Sequence, residues 1–178
     1  TIVIVTADHG DMLGERGLWY KMNFFEHSAR VPLVMAGPGV VQGRAPNACS
    51  LLDLTPTFVD LAGGDASIFG EPVDGRSLMP LARGEANDVD EAIGEYCAEM
   101  TPWPVIMIRR GAMKFIHCDI DPPQLYDVVA DPLEKVNLAT DPAYAETAKA
   151  FVNEVAARWD GEALRRDVIT TQKSRRAL

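Results

Sequence analysis

The β-branched run Ile2-Val3-Ile4-Val5 leads without a break into Thr6-Ala7-Asp8-His9-Gly10. An apolar run that does not alternate is the pattern of a strand buried on both faces, as in a parallel sheet. It points to an α/β fold with Asp8 and His9 just past the carboxyl end of the strand, where open parallel sheets bind their ligands. A second run, Val31-Pro32-Leu33-Val34-Met35-Ala36, ends on the turn signal Gly37-Pro38-Gly39. Residues 7 to 30 form a long loop dense in large apolar side chains, which argues for function rather than disorder.

Ser50 to Ala62 reads as a helix, with Leu51, Leu54, Phe58, Leu61 and Ala62 on one face, Pro56 in the first turn and Gly63-Gly64 as the stop. A single turn is expected near Leu78 to Ala82. Beyond an acidic stretch, Glu85 to Glu91, the character changes. Ala92 to Cys97, Val105 to Arg110, Met113 to Cys118 and Leu125 to Val128 are short strand candidates, the middle two joined around Gly111. Pro142 then opens a long helix with Ala148, Phe151, Val152, Val155 and Trp159 on one face, continued by a basic stretch from Arg165 to Arg176. The expectation is a parallel α/β part over residues 1–90 and a small antiparallel α+β part with a long helix over residues 91–178.

Lys and Arg number 17 against 26 Asp and Glu, a net charge of −9 in 178 residues, so non-specific nucleic-acid binding is disfavoured. No apolar run approaches the roughly 18 residues of a membrane span. Cys49, Cys97 and Cys118 form no CxxC pair, which suits neither a zinc site nor a disulfide framework and fits a reduced, cytoplasmic setting. The chain begins on a strand without a methionine, as a segment of a longer protein does.

Asp8 and His9 offer a hard oxygen and an imidazole nitrogen to a single cation, and Gly10 allows a sharp turn between strand and loop. Lys21 follows twelve residues after His9, among Trp19, Tyr20, Phe24 and Phe25, where its compact ammonium is placed to hold an anion. Glu26 and Arg30, four apart, suit an ion pair that ties the loop down.

These residues resemble a family. Thr6-Ala7-Asp8-His9-Gly10-Asp11-Met12-Leu13-Gly14-Glu15-Arg16-Gly17-Leu18-Trp19-Tyr20-Lys21 is similar to the metal-and-lysine segment of type I sulfatases. So is Lys21-xxx-Phe25-Glu26-xxx-Arg30-Val31-Pro32, where those enzymes commonly carry Lys-xxx-Tyr-Glu-xxx-Arg-Val-Pro. Asp53-Leu54-Thr55-Pro56-Thr57 and Leu125-Tyr126-Asp127, with Asp131-Pro132 and Asn137-Leu138, match later blocks in the same order. Within the family the resemblance is nearest to the choline-sulfatase branch.

The resemblance implies the fold of the alkaline phosphatase superfamily, a mixed sheet with a small antiparallel subdomain. Asp8 would be a metal ligand and His9 its neighbour at the metal or a sulfate oxygen. Lys21 would bridge the sulfate and the nucleophile. The metal expected is Ca²⁺, with Mn²⁺ or Zn²⁺ favoured by the imidazole. In the family the nucleophile is a formylglycine made from Cys in Cys-x-Pro/Ala-x-Arg, and none of the three cysteines here stands in that motif. The reading is therefore the C-terminal portion of a sulfatase, its partners being a small sulfate ester, the N-terminal half of the enzyme and further copies in a homo-oligomer.

For choline, which has no N–H donor, aromatic faces and carboxylates must supply recognition. Glu99 and Trp103 are the candidates. Two rival readings stand beside this one: a phosphonate monoester or phosphodiester hydrolase of the same superfamily, and a non-catalytic assembly module built on the C-terminal helix.

Overall fold

The computed structural model describes residues 1–85, 89–97 and 101–176. Strand β1 (Val3–Thr6) is followed by a short hairpin of β2 (Met12–Leu13) and β3 (Trp19–Tyr20), one turn of helix α1 (Glu26–Ala29), and strand β4 (Leu33–Ala36). β1 and β4 pair with each other, but antiparallel, Val3 opposite Ala36 and Thr6 opposite Leu33. The parallel pairing expected from the two apolar runs is thus corrected. An unalternated run does not fix direction, which follows from the connection, and here one face of each strand is exposed rather than both buried. A parallel neighbour needs a crossover of about a dozen residues or more, usually a helix; here the intervening chain folds back on itself. Val3 (54%), Val5 (56%) and Val34 (58%) are exposed on this ribbon.

Helix α2 (Leu54–Leu61) forms where expected, after a 3₁₀ turn at Leu51–Asp53. Its start is a capping box. The Ser50 hydroxyl accepts from the Leu52 N–H, and Asp53 accepts from the Ser50 N–H at 2.8 Å. The packed face is not the apolar one read from spacing. Asp53, Pro56 and Thr57 are buried while Phe58 is 53% exposed. The reason is polar. Thr57 donates to the Asp53 carbonyl and accepts from the Leu78 N–H at 2.8 Å, and Asp53 also accepts from the Arg76 N–H at 3.0 Å. These bonds dock the helix on the segment leading into α3 (Met79–Ala82).

The remainder is built on a four-stranded antiparallel sheet, β5 (Glu91–Tyr96), β6 (Val105–Arg110), β7 (Met113–Cys118) and β8 (Asp121–Asp127), in that order. β8 begins earlier than its apolar residues suggest and contains Pro122 and Pro123. Proline is tolerated there because β8 is an edge strand, with N–H groups that need no ladder partner. Helix α4 (Ala145–Arg158) covers one face, where Ile106, Ile108, Phe115, Leu125, Ala148, Phe151 and Val155 form the core. The Phe115 and Phe151 rings stack with centroids 5.2 Å apart. The basic stretch is a separate helix, α5 (Gly161–Arg176), because Trp159 is extended and Asp160 caps the next start through the Ala163 N–H at 2.9 Å. On the opposite face, Ile116, Tyr126 and Val128 receive Phe24 and Phe25. Side chains alternate across a strand, so one sheet packs α4 on one side and the lysine-bearing loop on the other. Among the described residues, no helix is long and apolar enough to cross a membrane.

Candidate active site

The site grows from the end of β1. Gly10 donates its N–H to the Ser28 carbonyl at 2.8 Å. A Cβ at position 10 would stand 2.1 Å from the His27 carbonyl oxygen. Gly10 is therefore required by close approach. Its φ is not in the left-handed region, so the sharp-turn role expected from sequence is replaced by this contact. Met12, 1% exposed, anchors the loop beyond it.

The loop then turns through Gly14 and Gly17, with Arg16 (φ 56°) and Tyr20 (φ 69°) also left-handed. Such backbone is uncommon for residues other than glycine and persists only where surroundings hold it. Arg16 is held by aromatics, its guanidinium 4.2 Å from the Phe25 ring centre and 5.4 Å from that of Tyr126. Glu15 accepts from the Leu13 N–H at 2.6 Å, and this bond holds its carboxyl below the ordinary value. The Lys21 carbonyl accepts from the Ser28 hydroxyl and from the Asn23 N–H.

These contacts bring Asp8, His9 and Lys21 together. The Lys21 Nζ lies 2.8 Å from His9 Nε2, and His9 Nδ1 lies 2.8 Å from the Gly10 carbonyl oxygen. A carbonyl only accepts, so Nδ1 carries the proton and Nε2 offers its lone pair to the ammonium. Asp8 Oδ2 is 3.4 Å from His9 Nε2. The Asp8 carboxylate is exposed, and the His9 backbone N–H, 3.0 Å from Oδ1, holds its pKa below the ordinary value. A carboxylate oxygen, an imidazole lone pair and an ammonium thus converge on one exposed point. The carboxylate fits one edge of a divalent cation's shell, and the imidazole would join it only by exchanging the Lys21 ammonium for the cation. They are two donors, short of the six to eight oxygens about which Ca²⁺ is usually held. Among the described residues no three His, Cys, Asp or Glu side chains form a fuller cluster.

Glu99 lies outside the described residues. Trp103 belongs to another group of side chains: its indole N–H donates to Asp119 at 2.7 Å, and Arg165 sits 4.9 Å over its ring. The indole bond, more than the His117 ring beside it, lowers the Asp119 pKa. With Pro104, Arg165, Val168 and Ile169, Trp103 lines a cavity of about 240 Å³ that none of Asp8, His9 and Lys21 enters. An ammonium reaching Trp103 would need the face that Arg165 leaves open. Glu26 and Arg30 do pair, at 3.5 Å.

Reasoning from sequence missed a buried charge cluster under the loop. Lys114 of β7, with 2% of its side chain exposed, places its Nζ 2.8 Å from the Phe24 carbonyl oxygen and 2.8 Å from Glu26 Oε1. It lies 2.5 Å from Oε1 of Glu134, a residue 1% exposed, as a charge contact without hydrogen-bond alignment. The signal was a lysine inside the apolar strand Met113-Lys114-Phe115-Ile116.

This exposed charged cluster at the end of a strand, beside an antiparallel sheet backed by a helix, can be set against known proteins. Residues 14–160 match the family described as N-sulphoglucosamine sulphohydrolase, C-terminal. The chain belongs to the sulfatase family. It is 46% identical to choline-sulfatase of Rhizobium meliloti, over 98% of this chain and 35% of that protein. It is 36% identical to arylsulfatase K of Rattus norvegicus, over 79% of this chain and 27% of that protein. The solved structure of the phosphonate monoester hydrolase of Agrobacterium radiobacter superposes on 94% of this chain and 35% of its own, with a TM-score of 0.74 and 27% identity. The chain spans about a third of the length of the relatives it matches.

Proposed function

We propose that the intact protein hydrolyses a sulfate ester, choline sulfate, to choline and sulfate. The observation that carries the reading is the contact of Lys21 with His9 beside the Asp8 carboxylate, in a chain of the sulfatase family. An ammonium has three N–H donors, and one meets His9. The others are open to sulfuryl oxygens, on which charge redistributes as the ester bond breaks. A fixed cation there stabilises the transition state more than the ground state. Asp8 would hold a divalent cation, joined by His9 where Nε2 is released from Lys21, and the cation would supply further positive charge at those oxygens when bound. The nucleophile would come from outside these 178 residues, as a formylglycine. Choline as the alcohol is supported by the 46% identity to a choline-sulfatase, with Glu99 and the open face of Trp103 as candidate contacts.

The structural likeness to a phosphonate monoester hydrolase favours a second reading, hydrolysis of phosphonate monoesters at the same residues. Both are tested by assaying the intact protein on choline sulfate, an aryl sulfate and an aryl phosphonate monoester. The highest kcat/KM is expected on choline sulfate, and Lys21→Ala is expected to lower kcat by about 10²-fold, the scale of losing one preorganised donor. Preference for the phosphonate would replace the first reading by the second. A change in KM alone would remove Lys21 from the chemistry.

A further inference from the structure

We infer that Lys114 and Glu134, acting through Glu26, position His9 and Lys21, so that the four-stranded sheet sets the geometry of a site to which it contributes no reacting group. The inference rests on the reading of Lys21 given above.

Three ionisable side chains meet here out of water: two carboxylates and one ammonium. Buried ion clusters of this kind add little net stability compared with apolar residues of the same volume, because desolvation offsets their attraction. Their best-attested use is to fix a register, and the contacts show which one. Lys114 reaches Glu26 Oε1 and the Phe24 carbonyl, each at 2.8 Å. Glu134 Oε2 accepts from the Glu26 N–H at 2.7 Å. Both the side chain and the backbone of the first residue of α1 are thereby held from below. Glu134 has φ 54°, and the other described non-glycine residues with positive φ are Arg16 and Tyr20, in the loop it underlies.

From α1 two links lead directly to the site. The Ser28 hydroxyl donates to the Lys21 carbonyl, and the Ser28 carbonyl accepts from the Gly10 N–H at 2.8 Å, one residue from His9. At Gly10 the backbones are so close that no side chain fits between them. α1 has only four residues and one buried side chain, Ser28, so it cannot keep its own place. The packing of Phe24 and Phe25 on the sheet and the contacts of Lys114 and Glu134 with Glu26 fix it from the sheet side. A displacement of α1 moves the backbones of Lys21 and His9 by different paths, so the approach of the two groups, 2.8 Å apart here, depends on where α1 sits.

The test is a double-mutant cycle in the intact protein, with choline sulfate as substrate and thermal unfolding measured on every variant. Glu134→Ala is expected to lower kcat about tenfold with KM changed less than about twofold, a positioning loss rather than a binding loss. Glu134→Gln keeps an oxygen for the Glu26 N–H and is the variant to rely on if Glu134→Ala does not fold. It is expected to lose less kcat than Glu134→Ala, because the bond from the Glu26 N–H is kept while the amide NH₂ gives up the charge contact with Lys114. In a Lys21→Ala background, Glu134→Ala is expected to cost clearly less than it does alone, about threefold at most, since of the two groups it positions only His9 remains. A general structural role would instead repeat the full loss in that background, and this would overturn the inference. So would an unchanged kcat in Glu134→Ala, or a deep loss in a folded Glu134→Gln. An unchanged kcat in Lys21→Ala alone would overturn the reading of Lys21, and the inference with it.

Discussion

At Gly10 a hydrogen atom stands where any other residue would carry a Cβ 2.1 Å from the His27 carbonyl oxygen. That obstacle is backbone, which cannot swing aside as a side chain would. Gly10→Ala is expected to push the turn away from α1, costing about 1–3 kcal/mol of stability as overpacking does. Activity should fall with it, because His9 is the preceding residue. Gly43 is the control. A Cβ there would meet nothing within 4 Å and its φ is not left-handed, so Gly43→Ala should stay within about 0.5 kcal/mol. Paired unfolding curves and kcat values decide it; equal effects at both glycines would mean the close approach does not govern the site. At this scale the sequence spoke clearly about residue types. That Asp8, His9 and Lys21 lie together was legible from the resemblance their segment carries, while their roles are part of the proposed function. The roles of Gly10, Arg16 and Lys114 were not legible, because each depends on a neighbour distant in the chain: His27, Tyr126 and Glu134.

Among the elements, β5, β6, β7 and α4 were the most legible, since alternation and three-to-four spacing report a buried face directly. The same signal misled where a polar network chose the docked face, as in α2 through Asp53 and Thr57, and where strand direction depended on the connection, as in β1 and β4. How α4 is held to the sheet edge leads to a pH dependence. Arg110 of β6 donates to Glu154 at 2.9 and 2.8 Å and also to Glu91, while Arg158 donates to Glu154 at 2.8 Å. These donors, Arg110 above all, pull the Glu154 pKa from the ordinary 4.5 to about 2. A carboxylate with a depressed folded-state pKa contributes stability above its unfolded value, and that contribution is lost as pH falls through the folded one. The window is therefore from about 4.5 down to about 2. Solvent screening of this partly exposed cluster limits the effect to about 1 kcal/mol. Glu154→Gln should lower the Tm at neutral pH and flatten part of its decline across that window. A decline of unaltered slope in the variant would assign the acid sensitivity to other groups.

On the scale of the whole molecule, the distribution of chemistry along the chain sets what these 178 residues can do by themselves. On the proposed reading Asp8 and His9 would be the metal donors here, and among the described residues no third His, Cys, Asp or Glu joins them. Two donors leave most of a divalent cation's coordination to water, so the ion would be bound weakly and exchange freely. None of Cys49, Cys97 and Cys118 occurs in a Cys-x-Pro/Ala-x-Arg motif. Burial raises all three thiol pKa values, which keeps them from being thiolates at neutral pH. On the reading proposed above, Lys21 and His9 would form a charge-stabilising half-site whose attacking group none of these cysteines supplies. The sulfatase relatives supply the contrast, being about three times as long as the segment they share with this chain. The isolated chain is therefore expected to show no turnover of choline sulfate or an aryl sulfate above that of its own Asp8→Ala variant, with or without millimolar Ca²⁺. Calorimetric titration with Ca²⁺ should give no saturable heat below that range. Turnover that disappears in the Asp8→Ala variant would show that the nucleophile and the rest of the metal shell lie within these residues after all, and the division of labour argued for the intact protein would have to be redrawn.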